Sequence, residues 1–302
     1  AGRVPELPPL SRASVRKRVV VVGGGCTGLQ AALTSAERGH EVILLERAPC
    51  LGGKWQVAYP PPGRGDLFQF LYWLFHQAKK AGVDLRTSVE ATPEVIRSLA
   101  PDVLILCTGA RPVVPDIPGV HLPHVLLAHE AIQGDKPIGE RVVVVGGGGV
   151  GVETALYLAR RWESGPEVVE FFEEWPDLTP EDRAALSRRG HQVTLVGRNE
   201  KVGVGLGGGT RWVLVQELAK AGVVVLRSTA VVAIEPQCVH VRGPEGERLL
   251  PADTVVLAVG YRPDDRLRHQ FDGLAPEIYS LGDAESVQHA LNGVGRAFEV
   301  AM

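Results

Sequence analysis

Val19-Val20-Val21-Val22-Gly23-Gly24-Gly25-Cys26-Thr27-Gly28 and Val142-Val143-Val144-Val145-Gly146-Gly147-Gly148-Gly149-Val150-Gly151 are two copies of one motif. Each is a strand-length apolar run, then G-x-G-x-x-G, then a helical pattern. In such a unit the first glycine makes the tight turn. The second lets a pyrophosphate reach the backbone, and the third lets helix pack close on strand. The helix N-terminus adds free N–H groups and a dipole that favours negative charge. A glycine-rich turn without a ligand is a fair account of a single copy. Two copies in the same strand–turn–helix context imply two dinucleotides on one chain. The expected fold class is α/β, with two Rossmann-like dinucleotide-binding domains, the first discontinuous.

The chain has 302 residues, 45% of them apolar, with 36 glycines and a net charge of −3. That length allows two domains with sizeable cores. Acids and bases are mixed along it, which argues against nucleic acid or an anionic membrane as partner. The longest apolar runs, such as Val103-Leu104-Ile105-Leu106-Cys107, are too short to span a bilayer. Arg16-Lys17-Arg18 leads into a four-valine strand, not a signal-peptide core, so a cytoplasmic protein is expected. Cys26, Cys50, Cys107 and Cys238 form neither C-x-x-C nor an iron–sulfur spacing, and no metal site is expected. Cys26 opens the first glycine-rich helix, where the dipole would favour a thiolate and a pyrophosphate would oppose it. Packing is the preferred role for it.

Residues 1–14 are proline-rich and read as a linker or arm. Strands are expected at 18–23, 41–45, 141–145 and 192–196, with glycine-rich helices over 28–38 and 151–162. Residues 66–81 read as a helix carrying Phe68, Phe70, Tyr72, Trp73 and Phe75 over more than one stripe. Core packing is the plainer account of those rings, and a docking surface the sharper one. The acidic stretch 163–190 reads as a loosely patterned surface insertion, and 235–248 as short hairpins. Leu104 to Gly109 and Val255 to Gly260 are apolar runs ending in glycine, each followed by Arg-Pro (Arg111-Pro112, Arg262-Pro263). They mark two crossings between a domain of 15–112 plus 258–302 and one of 113–257.

Glu46 ends the second strand, where a carboxylate accepts both hydroxyls of an unmodified adenosine ribose. That suits FAD or NAD and not NADP. The second copy instead ends Val196-Gly197-Arg198-Asn199-Glu200-Lys201, with no acid in Glu46's place. Arg198 and Lys201 point to a 2′-phosphate, hence NADPH over NADH; Glu200 weighs against them. Asp283, after Gly282, could hydrogen-bond a ribityl chain or cap a helix. Glu153 either complements the dipole of the second glycine-rich helix or lines the space where nicotinamide meets flavin.

The glycine loops, Glu46, Leu51-Gly52-Gly53, Thr108-Gly109 and Leu281-Gly282-Asp283 follow the order of two-dinucleotide-binding-domain flavoproteins. More narrowly, Gly52-Gly53-Lys54-Trp55-Gln56, Pro62-Gly63-Arg64, Pro115-Asp116-Ile117-Pro118-Gly119 and Gly203-Val204-Gly205-Leu206-Gly207 with Thr210-Arg211-Trp212 carry a closer likeness. With them the chain resembles the C-terminal half of the 2,4-dienoyl-CoA reductase and trimethylamine dehydrogenase group, old-yellow-enzyme relatives. The resemblance implies FAD at the first site, held by Gly23, Gly25, Gly28, Glu46, Gly53, Thr108, Gly109 and Asp283. Cys26, Thr27, Arg47, Lys54, Trp55, Val89 and Gly282 complete that candidate set. It implies NADPH at the second, held by Gly146, Gly148, Gly151, Arg198 and Lys201, with Gly149, Val150 and Gly260 beside them. In that group electrons pass from NADPH to FAD, then through a 4Fe–4S cluster to FMN in a barrel. This sequence has neither the barrel nor a cluster motif, so it implies a protein partner or missing domain carrying them. Trimethylamine dehydrogenase holds ADP where its relatives hold FAD. A nucleotide-binding structural subunit is therefore the alternative, although Thr108-Gly109 and Gly282-Asp283 favour FAD. A self-contained reductase of a quinone or ferredoxin is a third reading.

Overall fold

The computed structural model describes residues 10–61, 64–174, 177–187, 189–264 and 266–302. Most of the proline-rich arm, together with Pro62 and Gly63, lies outside the described residues. The chain divides into two compact units. One holds the described residues up to Tyr59, then 64–111 and 261–302; the other is chiefly 112–260.

The first unit begins with β1 (Arg18–Val22), α1 (Cys26–Glu37), β2 (Glu41–Leu45), α2 (Trp55–Ala58) and α3 (Gly65–Lys80). β3 (Asp84–Arg86), α4 (Pro93–Leu99), β4 (Val103–Leu106) and β5 (Ala110–Pro112) follow. The second unit runs β6 (Val125–Leu127), α5 (Ala128–Gln133), β7 (Arg141–Val145), α6 (Gly149–Ala159), α7 (Pro166–Glu173) and α8 (Pro180–Leu186). It continues through β8 (Gln192–Val196), α9 (Gly208–Lys220), β9 (Val224–Leu226), β10 (Ala230–Glu235), β11 (Cys238–Gly243), β12 (Gly246–Pro251) and β13 (Thr254–Leu257). The chain returns to the first unit as β14 (Tyr261–Pro263), α10 (Arg266–Phe271), β15 (Glu277–Ser280) and α11 (Ala290–Ala301).

Each unit is built on a five-stranded parallel sheet, ordered β15-β4-β1-β2-β3 in the first and β6-β13-β7-β8-β9 in the second. The valine runs explain the design. A parallel strand covered on both faces reads as continuously apolar. Val19 and Val21 pack with Leu29, Leu33 and Leu74 on one face, while Val20 and Val22 pack with Ile96 and Phe271 on the other. In the second unit Val142 and Val144 face α6, and Val143 and Val145 face the antiparallel sheet β10-β11-β12 through Val239 and Val241.

Several expectations shift. α1 and α6 start at Cys26 and Gly149, two residues before the expected Gly28 and Gly151. The third glycine of each motif is thus inside the first helical turn. Glu153 consequently lies beyond the first turn of α6, away from the strongest dipole. The insertion is not patternless: it forms α7 and α8, and Thr179 and Asp182 make a reciprocal capping box at α8. α3 buries Leu71, Leu74 and Ala78 and leaves Phe68, Tyr72 and Trp73 exposed, so those rings are not core. Ser11 and Ala13, at the end of the arm, bond to Arg38.

The repeat extends to charge. Asp102 accepts the Arg18 backbone N–H at 2.7 Å, and Asp253 accepts that of Arg141 at 2.8 Å. Asp253 also takes the Arg141 guanidinium in a fork. The Arg141 side chain and backbone N–H pull the Asp253 carboxyl from 3.8 to about 2. A carboxylate whose pKa is depressed by folding contributes stability above its unfolded value and loses it as pH falls through the folded one. Asp253→Asn is therefore expected to lower the melting temperature near neutrality and flatten its fall between pH 3.8 and about 2. Melting curves across that window check it. An unchanged acid limb in the variant contradicts the assignment.

Candidate functional site

The first glycine loop is shaped by contacts that exclude side chains. Gly23 has φ +108°, and a Cβ there would lie 2.3 Å from the Cys107 carbonyl oxygen. A Cβ on Gly28 would lie 1.9 Å from the Gly23 carbonyl oxygen, which is the close helix–strand approach. Gly25 differs: a Cβ there meets nothing within 4 Å. It is the N-cap of α1, in extended conformation with no side-chain cap bond. A helix N-terminus with free N–H groups and an open approach fits a pyrophosphate.

Around this loop the candidate residues form one cluster. Glu46 accepts the Gly24 N–H at 2.7 Å and the Ala48 N–H at 2.8 Å, which fixes its carboxylate beside the loop. Val89 donates its N–H to the Glu46 carbonyl at 3.0 Å, and Arg47 is exposed next to it. Gly52 donates to the Gly24 carbonyl at 2.8 Å, and Gly25 and Gly52 form an isolated bridge, setting Gly53 against Gly25. Trp55 packs its ring 5.4 Å from Phe70. Thr108 and Gly109 follow β4, half-buried, and the Gly109 Cβ position is 3.9 Å from Lys54 Cε. Thr27 packs beneath Gly282 and Gly293: a Cβ on either would come within 2.9 Å of its hydroxyl.

Lys54 Nζ bonds Asp283 Oδ2 at 3.0 Å and sits 4.2 Å from the centroid of the Tyr261 ring. Burial and the Asp283 charge both push the Tyr261 hydroxyl up. Asp283 also accepts the Gln288 N–H at 3.3 Å and does not cap α11, whose N-cap is His289. Cys26 is buried, and burial pushes its thiol up to about 12. It is a neutral packing residue at any working pH.

The second loop repeats the first nearly bond for bond. Gly146 has φ +128°, with its Cβ position 2.3 Å from the Ala258 carbonyl oxygen, and that of Gly151 is 1.7 Å from the Gly146 carbonyl oxygen. Gly148 is again open, its nearest neighbour being the Val204 oxygen at 3.8 Å. Gly149 lies against Leu206, and Val150 is exposed. Gly203 donates to the Gly147 carbonyl at 2.7 Å, and Gly148 bridges Val204. The Gly203-Val204 segment thus plays the part of Gly52 in the first site, an equivalence the sequence reading missed. The G-V-G spacing at 203–205 was the available signal. Gly260, with φ +106° and no neighbour at its Cβ position, follows β13 as Gly109 follows β4.

The two sites part at one position. Gly23 donates to the Leu45 carbonyl and Gly146 to the Val196 carbonyl, both at 2.8 Å. That register aligns Glu46 with Gly197. Where Gly24 faces the Glu46 side chain, Gly147 faces the bare Cα of Gly197. Arg198 and Lys201 are exposed just beyond, and neither holds a hydrogen bond or ion pair among the described residues. Glu153 is half-buried on α6.

Residues 18–91 match the FAD dependent oxidoreductase family model. The Thermoanaerobacter brockii protein named NADH oxidase is 34% identical over the whole chain, which spans 43% of it. The Desulforamulus reducens metal reductase is 32% identical, again over the whole chain, which spans 46% of it. The chain therefore spans less than half the length of these relatives. The solved 2-naphthoyl-CoA reductase complex aligns with a TM-score of 0.84 at 25% identity, covering 97% of this chain and 40% of that one. No helix among the described residues is long and apolar enough to cross a membrane. Residues 74–294, which take in the second glycine loop and the return through Asp283, match the pyridine nucleotide-disulphide oxidoreductase model, and the chain belongs to that family.

Proposed function

We propose that the chain is the FAD- and NADPH-binding part of a flavoprotein oxidoreductase related to the 2,4-dienoyl-CoA reductase group, working with a partner domain or subunit that carries further redox centres. The observation that carries this reading is the pair of open cradles at Gly25 and Gly148, alike in backbone and unlike at Glu46 and Gly197. Two coenzymes with different adenosine ends need that combination. Bound together they supply the chemistry: a hydride from the nicotinamide reduces the flavin, whose electrons then leave for the partner.

The chain's own residues bind and orient. Glu46, already held by two backbone N–H groups, presents its carboxylate to ribose hydroxyls. The N–H groups of α1 and α6 face the phosphates. Gly53, Thr108, Gly109, Gly282 and Asp283 border the flavin half, and Arg198 and Lys201 meet a 2′-phosphate. Positioning of this kind contributes up to roughly 7–11 kcal/mol in well-oriented systems. The lengths of the relatives and the exposed Phe68, Tyr72 and Trp73 face support a partner.

In a second reading only ADP occupies the first cradle, and the Lys54–Asp283 bridge closes the space beyond it. Its strength does not support that reading. Both side chains are about one-third exposed, and such pairs are worth about 0.2–1 kcal/mol. A ribityl hydroxyl can displace the lysine at little cost. Anaerobic addition of NADPH to the purified protein is expected to bleach a yellow flavin spectrum, with NADH less effective. A colourless protein, or no bleaching with either, contradicts the proposal.

A further inference from the structure

We infer that the turn between β10 and β11 carries a binding site for a borderline divalent cation of the Zn²⁺ class, made by Glu235, Cys238 and His240. The site is set by strand geometry. Glu235 and Cys238 are cross-strand partners at the end of the hairpin, closed by Pro236-Gln237. Side chains alternate along a strand. Val239 and Val241 point into the core, so Cys238 and His240 share the opposite face. One ligand atom from each of Glu235, Cys238 and His240 lies within 4.8 Å of the other two.

A plain cross-strand ion pair between Glu235 and His240 accounts poorly for the details. His240 Nε2 lies 2.9 Å from Glu235 Oε1, yet it is buried and makes no hydrogen bond. Cys238 Sγ is 3.6 Å from the other Glu235 oxygen. Tetrahedral ligands with bonds of about 2.0–2.3 Å sit roughly 3.3–3.8 Å apart, so a small carboxylate rotation suffices. One thiolate, one imidazole and one carboxylate suit Zn²⁺ better than Mg²⁺ or Ca²⁺, which prefer all-oxygen sets. Glu235 and His240 are partly exposed, which leaves the fourth position to water. On binding, the thiol proton leaves to solvent and the sulfur lone pair forms the metal bond. The ion would tie β10 to β11 beside the turn that closes the hairpin.

The test is titration of the chelator-stripped full chain with Co²⁺ as a visible probe, then with Zn²⁺ against a chromophoric chelator. One equivalent of Co²⁺ is expected to give tetrahedral d–d bands and a thiolate charge-transfer band, displaced by Zn²⁺. Cys238→Ser should remove the charge-transfer band, and His240→Gln should weaken Zn²⁺ at least tenfold, about 1.4 kcal/mol. Cys50→Ser, at the exposed cysteine elsewhere, should change neither. A Co²⁺ complex without a thiolate band overturns the inference. So does a band that survives Cys238→Ser or vanishes with Cys50→Ser. The far-ultraviolet circular dichroism of each variant reports its folding separately.

Discussion

Gly25→Val is expected to abolish retention of FAD while the protein stays folded, whereas Gly28→Ala damages folding itself. The two residues are three apart and differ in what a side chain would meet. At Gly25 there is open space, and its backbone is extended with φ −73°, which valine accepts. Losing glycine at the N-cap costs about 1 kcal/mol. The new methyls project where a pyrophosphate would lie, so the loss falls on the ligand. At Gly28 a single methyl would sit 1.9 Å from a backbone oxygen, which cannot rotate away. α1 must move off β1, in a fully packed core. Overpacking of this kind costs about 1–3 kcal/mol, and a backbone obstacle puts it at the upper end. Retained flavin per chain and melting temperature, measured on both variants, separate the effects. Gly25→Val protein purified with full flavin contradicts the proposed cradle. Gly151→Ala should act as Gly28→Ala does, through its 1.7 Å clash.

The second large effect is on coenzyme choice. Arg198→Ala combined with Lys201→Ala is expected to weaken NADPH about 10–100-fold, and NADH by no more than about twofold, since charged hydrogen bonds contribute about 1.5–3 kcal/mol. Both side chains are exposed and without partners among the described residues, so stability should change by about 0.5 kcal/mol or less. Loss of the preference at high salt should accompany it, because exposed charges are screened. Binding measured for both nucleotides, in wild type and variant, decides. An equal loss for the two assigns the cations to the shared diphosphate. No loss for either removes them from the site.

Much of the fold was legible because four consecutive valines state both a strand and its burial on two faces. The glycines after them state the turn. The spacing to Glu46 was legible for the same reason, being a property of one strand–helix–strand unit. Its two backbone donors were not, since the directions of the Gly24 and Ala48 N–H groups depend on how the loop closes. The bond from Gly203 to the Gly147 carbonyl joins residues far apart in sequence, so spacing alone does not show it. The outward turn of Phe68, Tyr72 and Trp73 was hidden for another reason. α3 has apolar residues on several stripes, and composition does not say which stripe meets the core. Short elements such as β6, α5 and α10 carry too few residues to show a period.

Central to the proposed function is that the first cradle receives a complete FAD, with its flavin half beside Gly53, Thr108, Gly109 and Asp283. Titrating nucleotide-stripped protein with FAD, followed by quenching of flavin fluorescence, tests it most directly, with ADP as competitor. One FAD per chain, bound at least tenfold tighter than ADP, or about 1.4 kcal/mol, is the predicted result. FAD that fails to bind, or that binds no tighter than ADP, contradicts the account.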